Sequence, residues 1–102
     1  MTINFSLILP CYNEEENIFH LFNEFKNIPF VDEKAELIFV NNGSSDHTEN
    51  EIDKIITESK YDNNPNYTVR KLNLEINQGY GGGIIAGLES AKGNYIGWCH
   101  AD

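Results

Sequence analysis

The chain has 102 residues, and 16 acidic against 7 basic side chains give it a formal charge of −9. That balance excludes nucleic acid and anionic lipid headgroups as direct partners, since both need clustered Lys and Arg. The length allows one domain, residues 1–102, with a modest core and no second unit.

In chain order, the first apolar run, Phe5–Leu9, reads as a strand that runs into Pro10, Cys11, Tyr12 and Asn13. Asn13 with Glu16 three residues on has the form of a capping box. Ile18, Leu21, Phe22 and Phe25 follow at helical spacing, which predicts a helix over about 14–27 that stops before Pro29. Glu36–Val40 is the second apolar run and leads into Asn41-Asn42-Gly43-Ser44-Ser45-Asp46. Asp46 as cap, Glu49 at the box position and the stripe Ile52, Ile55, Ile56 predict a second helix over about 47–59. The turn formers of 61–66 make a loop, and Tyr67–Leu74 alternates like a partly exposed edge strand. The glycine-rich stretch 77–83 opens a third helix, expected over about 82–91 with Ile84, Ile85, Leu88 and Ala91, which Lys92-Gly93 closes. Tyr95–Cys99 is then the last strand. The alternation βαβαβαβ with short connections argues an α/β fold: a Rossmann-like open parallel sheet with right-handed crossovers and helices on both faces.

No apolar stretch approaches the roughly 18–20 residues of a membrane-spanning helix, and the start of the chain lacks the pattern of a signal peptide, so the expected location is the cytoplasm. Cys11 and Cys99 are too few and too far apart for a disulfide framework or a zinc site. They are expected to be reduced, buried as small apolar side chains, and close together at the ends of adjacent strands.

In open α/β sheets ligands bind outside the carboxyl ends of the strands, where the strand order reverses. If the order is 3-2-1-4, the crevice lies between strands one and four. Tyr12, Asn13 and Glu15 then face His100 and Asp102, with Asn41 and Asn42 one strand further out. The glycine run fails as a dinucleotide fingerprint, because Gly79 and Gly81 fit but the third position falls on Ile84 and the run follows strand three. A helix N-terminal nest for phosphate and a tight strand-to-helix turn both stay open for it.

Four segments carry a family resemblance: LILPCYNEEEN (7–17), FVNNGSSDHT (39–48), NQGYGGG (77–83) and AKGNYIGWCHAD (91–102). Each is weak alone. Together, in order and over nearly the whole chain, they resemble the successive signatures of family 2 glycosyltransferases, and Gly97-Trp98 is most similar to the branch that includes polyprenyl-phosphate glycosyltransferases. The resemblance implies the GT-A fold with strand order 3-2-1-4, a nucleotide-sugar donor as partner, and a divalent cation, manganese or magnesium, as cofactor.

It also implies roles for residues. Pro10, Tyr12, Glu15, Asn41, Asn42, Gly79 and His100 would bind the donor, with Tyr12 covering the nucleobase and Glu15 accepting from base or ribose. Ordinary turn packing and helix N-terminal charge are the bland alternative for those two. Asn41 and Asn42 stand where most relatives carry aspartates, the first of which accepts from a uracil ring N–H; the amides keep an acceptor, add donors and remove charge. Asp102 corresponds to the last acid of the family's DxD motif and is the implied catalytic and metal-binding residue, while His100 replaces the first acid. Magnesium often makes do with one or two carboxylates plus phosphate oxygens and water, so a single acid is not disqualifying.

The expected function is therefore that of the donor half of a glycosyltransferase. The base and the acceptor, a polyprenyl phosphate or another sugar, belong beyond the DxD motif, at the cytoplasmic membrane face in a full-length protein. Such a truncated domain is expected to bind donor weakly without turnover, and to self-associate, by edge pairing of the bare fourth strand carrying Tyr95, Ile96 and Trp98 or by packing its under-covered sheet face on a neighbour. A non-catalytic nucleotide-binding or interaction module on the same fold is the second reading, and metal-dependent binding of a nucleoside diphosphate separates the two.

Overall fold

Apolar residues at period two on strands and period 3.6 on helices assemble into one parallel sheet. The computed structural model describes residues 3–28, 34–61 and 66–101. The elements are β1 (Phe5–Cys11), α1 (Ile18–Lys26), β2 (Ala35–Asn42), α2 (Thr48–Ser59), β3 (Tyr67–Leu74), α3 (Gly79–Ser90) and β4 (Tyr95–Trp98). The 4-stranded sheet has the order β3-β2-β1-β4, and every pairing is parallel. Both the fold class and the strand order are those expected.

Alternation along the strands divides the core between the two faces. Leu9, Cys11, Leu37 and Phe39 pack with Ile18, Phe22 and Phe25 of α1 and Ile52 and Ile55 of α2. Ile8, Ile38 and Val40, with Leu72, Leu74 and Ala91, form a smaller core on the other face, where α3 lies against β1 and β2. Gly87 permits that approach, because a Cβ there would come within 2.5 Å of Ile8 Cγ2. Every residue of β2 is buried. Tyr95, Ile96 and Trp98 of β4 are exposed.

The amino end of the sheet on the α3 face is closed by a polar network that the apolar pattern did not reveal. Glu36 is 2% exposed. Its carboxylate accepts from Ser6 Oγ at 2.6 Å, Arg70 Nε at 2.8 Å and the Lys92 backbone N–H at 2.7 Å. Arg70 also donates to Ser90 Oγ, and Ser6 Oγ accepts from the Gly93 N–H. Burial pushes the Glu36 carboxyl up, but the bonds from Arg70, Ser6 and Lys92 and the charge of Arg70 outweigh it, leaving the group below its ordinary value. The network ties the α3–β4 connection to three strands.

Element boundaries differ where polar side chains take unexpected partners. α1 begins at Ile18, not near 14, and Asn17 precedes it without a side-chain capping bond. Asn13 is no cap. It adopts φ +53, and its Oδ1 accepts from the N–H groups of Ser45 at 2.8 Å and Asp46 at 3.3 Å, so the box side chain is spent bridging two loops. Asp46 is not the cap either: His47 takes the N-cap position of α2 without a side-chain bond, Asp46 before it accepts from the Thr48 N–H at 2.9 Å, and Glu49 pairs with Lys71 at 2.8 Å instead of completing a box. α3 starts at Gly79 rather than near 82. β1 and β2 continue to Cys11 and Asn42, because backbone pairing persists to Cys11↔Asn41 after the apolar side chains end. β4 stops at Trp98, although the Cys99 N–H still donates to Ile8 O.

Candidate functional site

The chain turns from β3 back across β2 and β1 to β4, so the strand order reverses between β1 and β4. At the carboxyl ends there lies a cleft of about 300 Å³. Pro10, Cys11 and Tyr12 reach it from β1, Asn42 from β2, and His100 and Ala101 from the segment after β4. Glu14, Asn77 and Tyr80 complete the lining.

Tight loops hold these residues. Gly43 at φ +65 lies against the backbone of Ile76 and Asn77, where a Cβ would collide with Asn77 N. Asn42 clasps the start of α3: its Oδ1 accepts from the Gln78 N–H at 2.9 Å and its Nδ2 donates to Gly79 O at 2.8 Å. An aspartate could make only the first bond, which gives the amide at position 42 a structural reason. Gly79, at φ +80, is a turn residue whose N–H donates to Asn77 Oδ1. Tyr80, next in sequence, stacks on His100 with ring centroids 5.2 Å apart and 15° between planes.

Several candidates fall elsewhere. Glu15 is not in the cleft lining but borders an acidic groove with Asn13, Glu16 and Asp46 that shares Glu14 with the cleft, and its N–H donates to Asp46. Burial pushes the Asp46 carboxyl up, but bonds from Thr48 and Glu15 hold it below its ordinary value. Asn41 does not line the cleft. It is 4% exposed, its Nδ2 donates to Asn73 Oδ1 at 2.6 Å, and its Oδ1 is buried without a hydrogen-bond partner among the described residues. Gly79 meets the cleft only through its neighbour. Asp102 lies outside the described residues.

The cysteines divide: both are free thiols, Cys11 buried and Cys99 exposed, so the expectation of two buried thiols holds only for Cys11. Burial, with the nearby charges of Glu14 and Cys99, pushes the Cys11 thiol up to about 12. Tyr80, Asn77 and Glu14 were absent from the sequence-derived site. Their signal was present, since Tyr80 interrupts the glycine run with the one large side chain able to reach across the switch point.

Among the described residues no group of three His, Cys, Asp or Glu side chains gathers to hold an ion. Glu14 and His100 are in the cleft lining, and Glu14 Oε2 already accepts from Asn17 Nδ2 at 2.7 Å. These two residues offer one carboxylate and one imidazole, whereas a hard divalent cation takes oxygen ligands.

The sequence from residue 6 to 102 matches the family model described as glycosyl transferase family 2. The chain belongs to that family. It is 32% identical over 104 residues to the dolichol-phosphate mannosyltransferase of Saccharomyces cerevisiae, covering all of this chain (100%) and 36% of the relative. Among solved structures, S. aureus TarS 1-349 in complex with UDP-GlcNAc superposes with a TM-score of 0.77 at 28% identity, over 98% of this chain and 27% of that one. The mannosyltransferase PcManGT from Pyrobaculum calidifontis, in complex with GDP-Man and Mn2+, gives a TM-score of 0.83 at 20% identity, over 100% of this chain and 28% of that one. That likeness speaks for the fold, which is GT-A. The chain spans between 21% and 36% of the length of the curated relatives it matches.

Proposed function

We propose that this chain forms the donor-binding half of a glycosyltransferase and takes a nucleoside-diphospho-sugar in the cleft between β1 and β4. The observation that carries the reading is that Tyr12, Asn42 and His100, from three separate strand ends, line one cleft at the reversal of strand order.

In this reading the half-exposed ring of Tyr12 offers its face to the nucleobase. Asn41, buried and outside the cleft lining, is not assigned to the base in this reading. Asn42 keeps the α3 turn in place. Asp102, adjoining the cleft residue Ala101, would share a divalent cation with the donor's phosphates. Bound there, the cation would neutralise charge developing on the departing nucleoside diphosphate. Glycosyl transfer to an acceptor, a polyprenyl phosphate or another sugar, is proposed for the full-length protein.

Calorimetric titration with UDP and with GDP, each in the presence of manganese, magnesium or chelator, tests the reading. The cation should strengthen binding and Asp102→Ala should remove that gain. Equal affinity with and without cation would sink the metal role, and binding of neither nucleotide would sink the donor site and favour the non-catalytic module.

A further inference from the structure

We infer that Asn42-Gly43 is a spontaneous modification site, an amide-to-acid conversion that the fold suppresses and that the turn into α3 gates. It is the only Asn-Gly pair in the sequence. The chemistry needs water and no cofactor. The Gly43 nitrogen attacks Asn42 Cγ, the bond from that carbon to the amide nitrogen breaks, and ammonia leaves with the Gly43 proton. The succinimide so formed takes up water at either carbonyl and opens to aspartate or isoaspartate. Glycine favours the closure because no Cβ hinders its nitrogen.

Both reacting groups are occupied in the fold. The Gly43 N–H donates to Leu74 O at 2.9 Å. The Asn42 amide accepts from the Gln78 N–H at 2.9 Å and donates to Gly79 O at 2.8 Å, and the residue is buried. Asn42 also ends β2, and an extended backbone turns its side chain away from the next peptide nitrogen. Attack therefore requires the end of β2 to leave its ladder and the amide to leave its clasp.

The start of α3 is the part able to release them. It supplies both partners of the amide, and Gly79, Gly81, Gly82 and Gly83 crowd its opening residues, where each weakens the helix. Beyond Asn42, the turn is held by Asn77 Oδ1, which accepts from the Gly79 N–H at 2.7 Å on the exposed side. The buried interior of β2 has no such weakness, so local opening of the turn precedes loss of the strand. Either product puts a carboxylate into the cleft lining and removes the donor to Gly79 O, so the turn cannot close again with the same bonds.

Peptide-mapping mass spectrometry at mildly alkaline pH reads the conversion at Asn42, with the folded and the guanidinium-unfolded chain side by side. Conversion should be at least about tenfold slower in the folded chain. Asn77→Ala, with circular dichroism like the parent, should raise the folded rate by about two- to tenfold and leave the unfolded rate unchanged. Hydrogen exchange of the parent supplies a check that needs no variant: the Gly43 amide should be protected at least about tenfold less than those of Phe39 and Val40.

Equal conversion in the folded and unfolded chains would show that the fold does not protect the pair, and would overturn the inference. A folded rate unmoved by Asn77→Ala, or a Gly43 amide as protected as Val40, would make global unfolding the route and remove the turn as the gate.

Discussion

The two ends of the sheet are built on opposite terms. At the amino end, a buried carboxylate is satisfied by a guanidinium, a hydroxyl and a backbone N–H, and three strands and the α3–β4 connection converge on it. At the carboxyl end, a cleft stands open, Asn41 Oδ1 is buried without a hydrogen-bond partner among the described residues, and Asn13 holds a left-handed conformation. Unpaired polar atoms and strained backbone cost stability, and they persist where surrounding structure enforces them. The contrast teaches that the fold is secured at the end remote from the ligand, leaving the other free to carry unsatisfied groups.

The contrast breaks most readily at Glu36. Glu36→Ala leaves the Arg70 guanidinium without its carboxylate beside a cavity, and the expected loss is about 3–5 kcal/mol in urea unfolding. Tyr12→Ala, at an exposed cleft residue, should stay within about 0.5 kcal/mol of the parent. Comparable losses in the two variants would erase the distinction between the ends.

A middle-sized effect is expected at Asn42. Asn42→Asp sets a carboxylate oxygen against the Gly79 carbonyl that the amide now serves. A loss of about 1–3 kcal/mol follows from leaving that acceptor unpaired, read as a lower melting temperature. An unchanged or higher melting temperature would show that the clasp contributes nothing. Asn13→Ala should cost about 1–2 kcal/mol, since alanine must adopt the same positive φ without the oxygen that receives Ser45 and Asp46. Asn13→Gly separates the parts, because it relieves the conformation and loses only the bonds.

The smallest difference should emerge on the acid side. Glu36 and Asp46 are both held below their ordinary values in the folded chain, so between the folded and unfolded values the unfolded state binds more protons and stability rises with pH. Their contribution is fully present above the ordinary carboxylate range and is lost as pH falls through the lowered folded values. Denaturant midpoints measured from pH 7 down to pH 3 should decline at the acid end, and Glu36→Gln should flatten part of that decline. A slope unchanged in Glu36→Gln would remove Glu36 as its source.

Hydropathy patterning was enough to anticipate the element order and a parallel sheet, because β1 and β2 are largely apolar and α1 and α2 carry clear stripes, whereas the strand order 3-2-1-4 came from the family resemblance. It was weakest where side chains bond across loops. Asn13 has the sequence of a helix cap, but its partners are 32 and 33 residues away, and no local rule anticipates them. Glu36 looked like the boundary of an apolar run, although its inward position beside Arg70 of the adjacent strand was a signal for a buried ion pair. Tyr80 was hidden in the glycine run, and its stacking partner lies 20 residues on, beyond a whole strand.

The unequal cysteines give the molecule a built-in reporter. With Cys11 buried and its thiol pushed up to about 12, almost none of it is thiolate at neutral pH. Cys99 is exposed and adjoins His100, though burial of part of its surroundings and the charge of Glu24 raise its thiol as well. A maleimide dye applied under mildly alkaline conditions therefore attaches to one position without any engineered cysteine, one residue from the cleft, where its emission can follow occupancy directly.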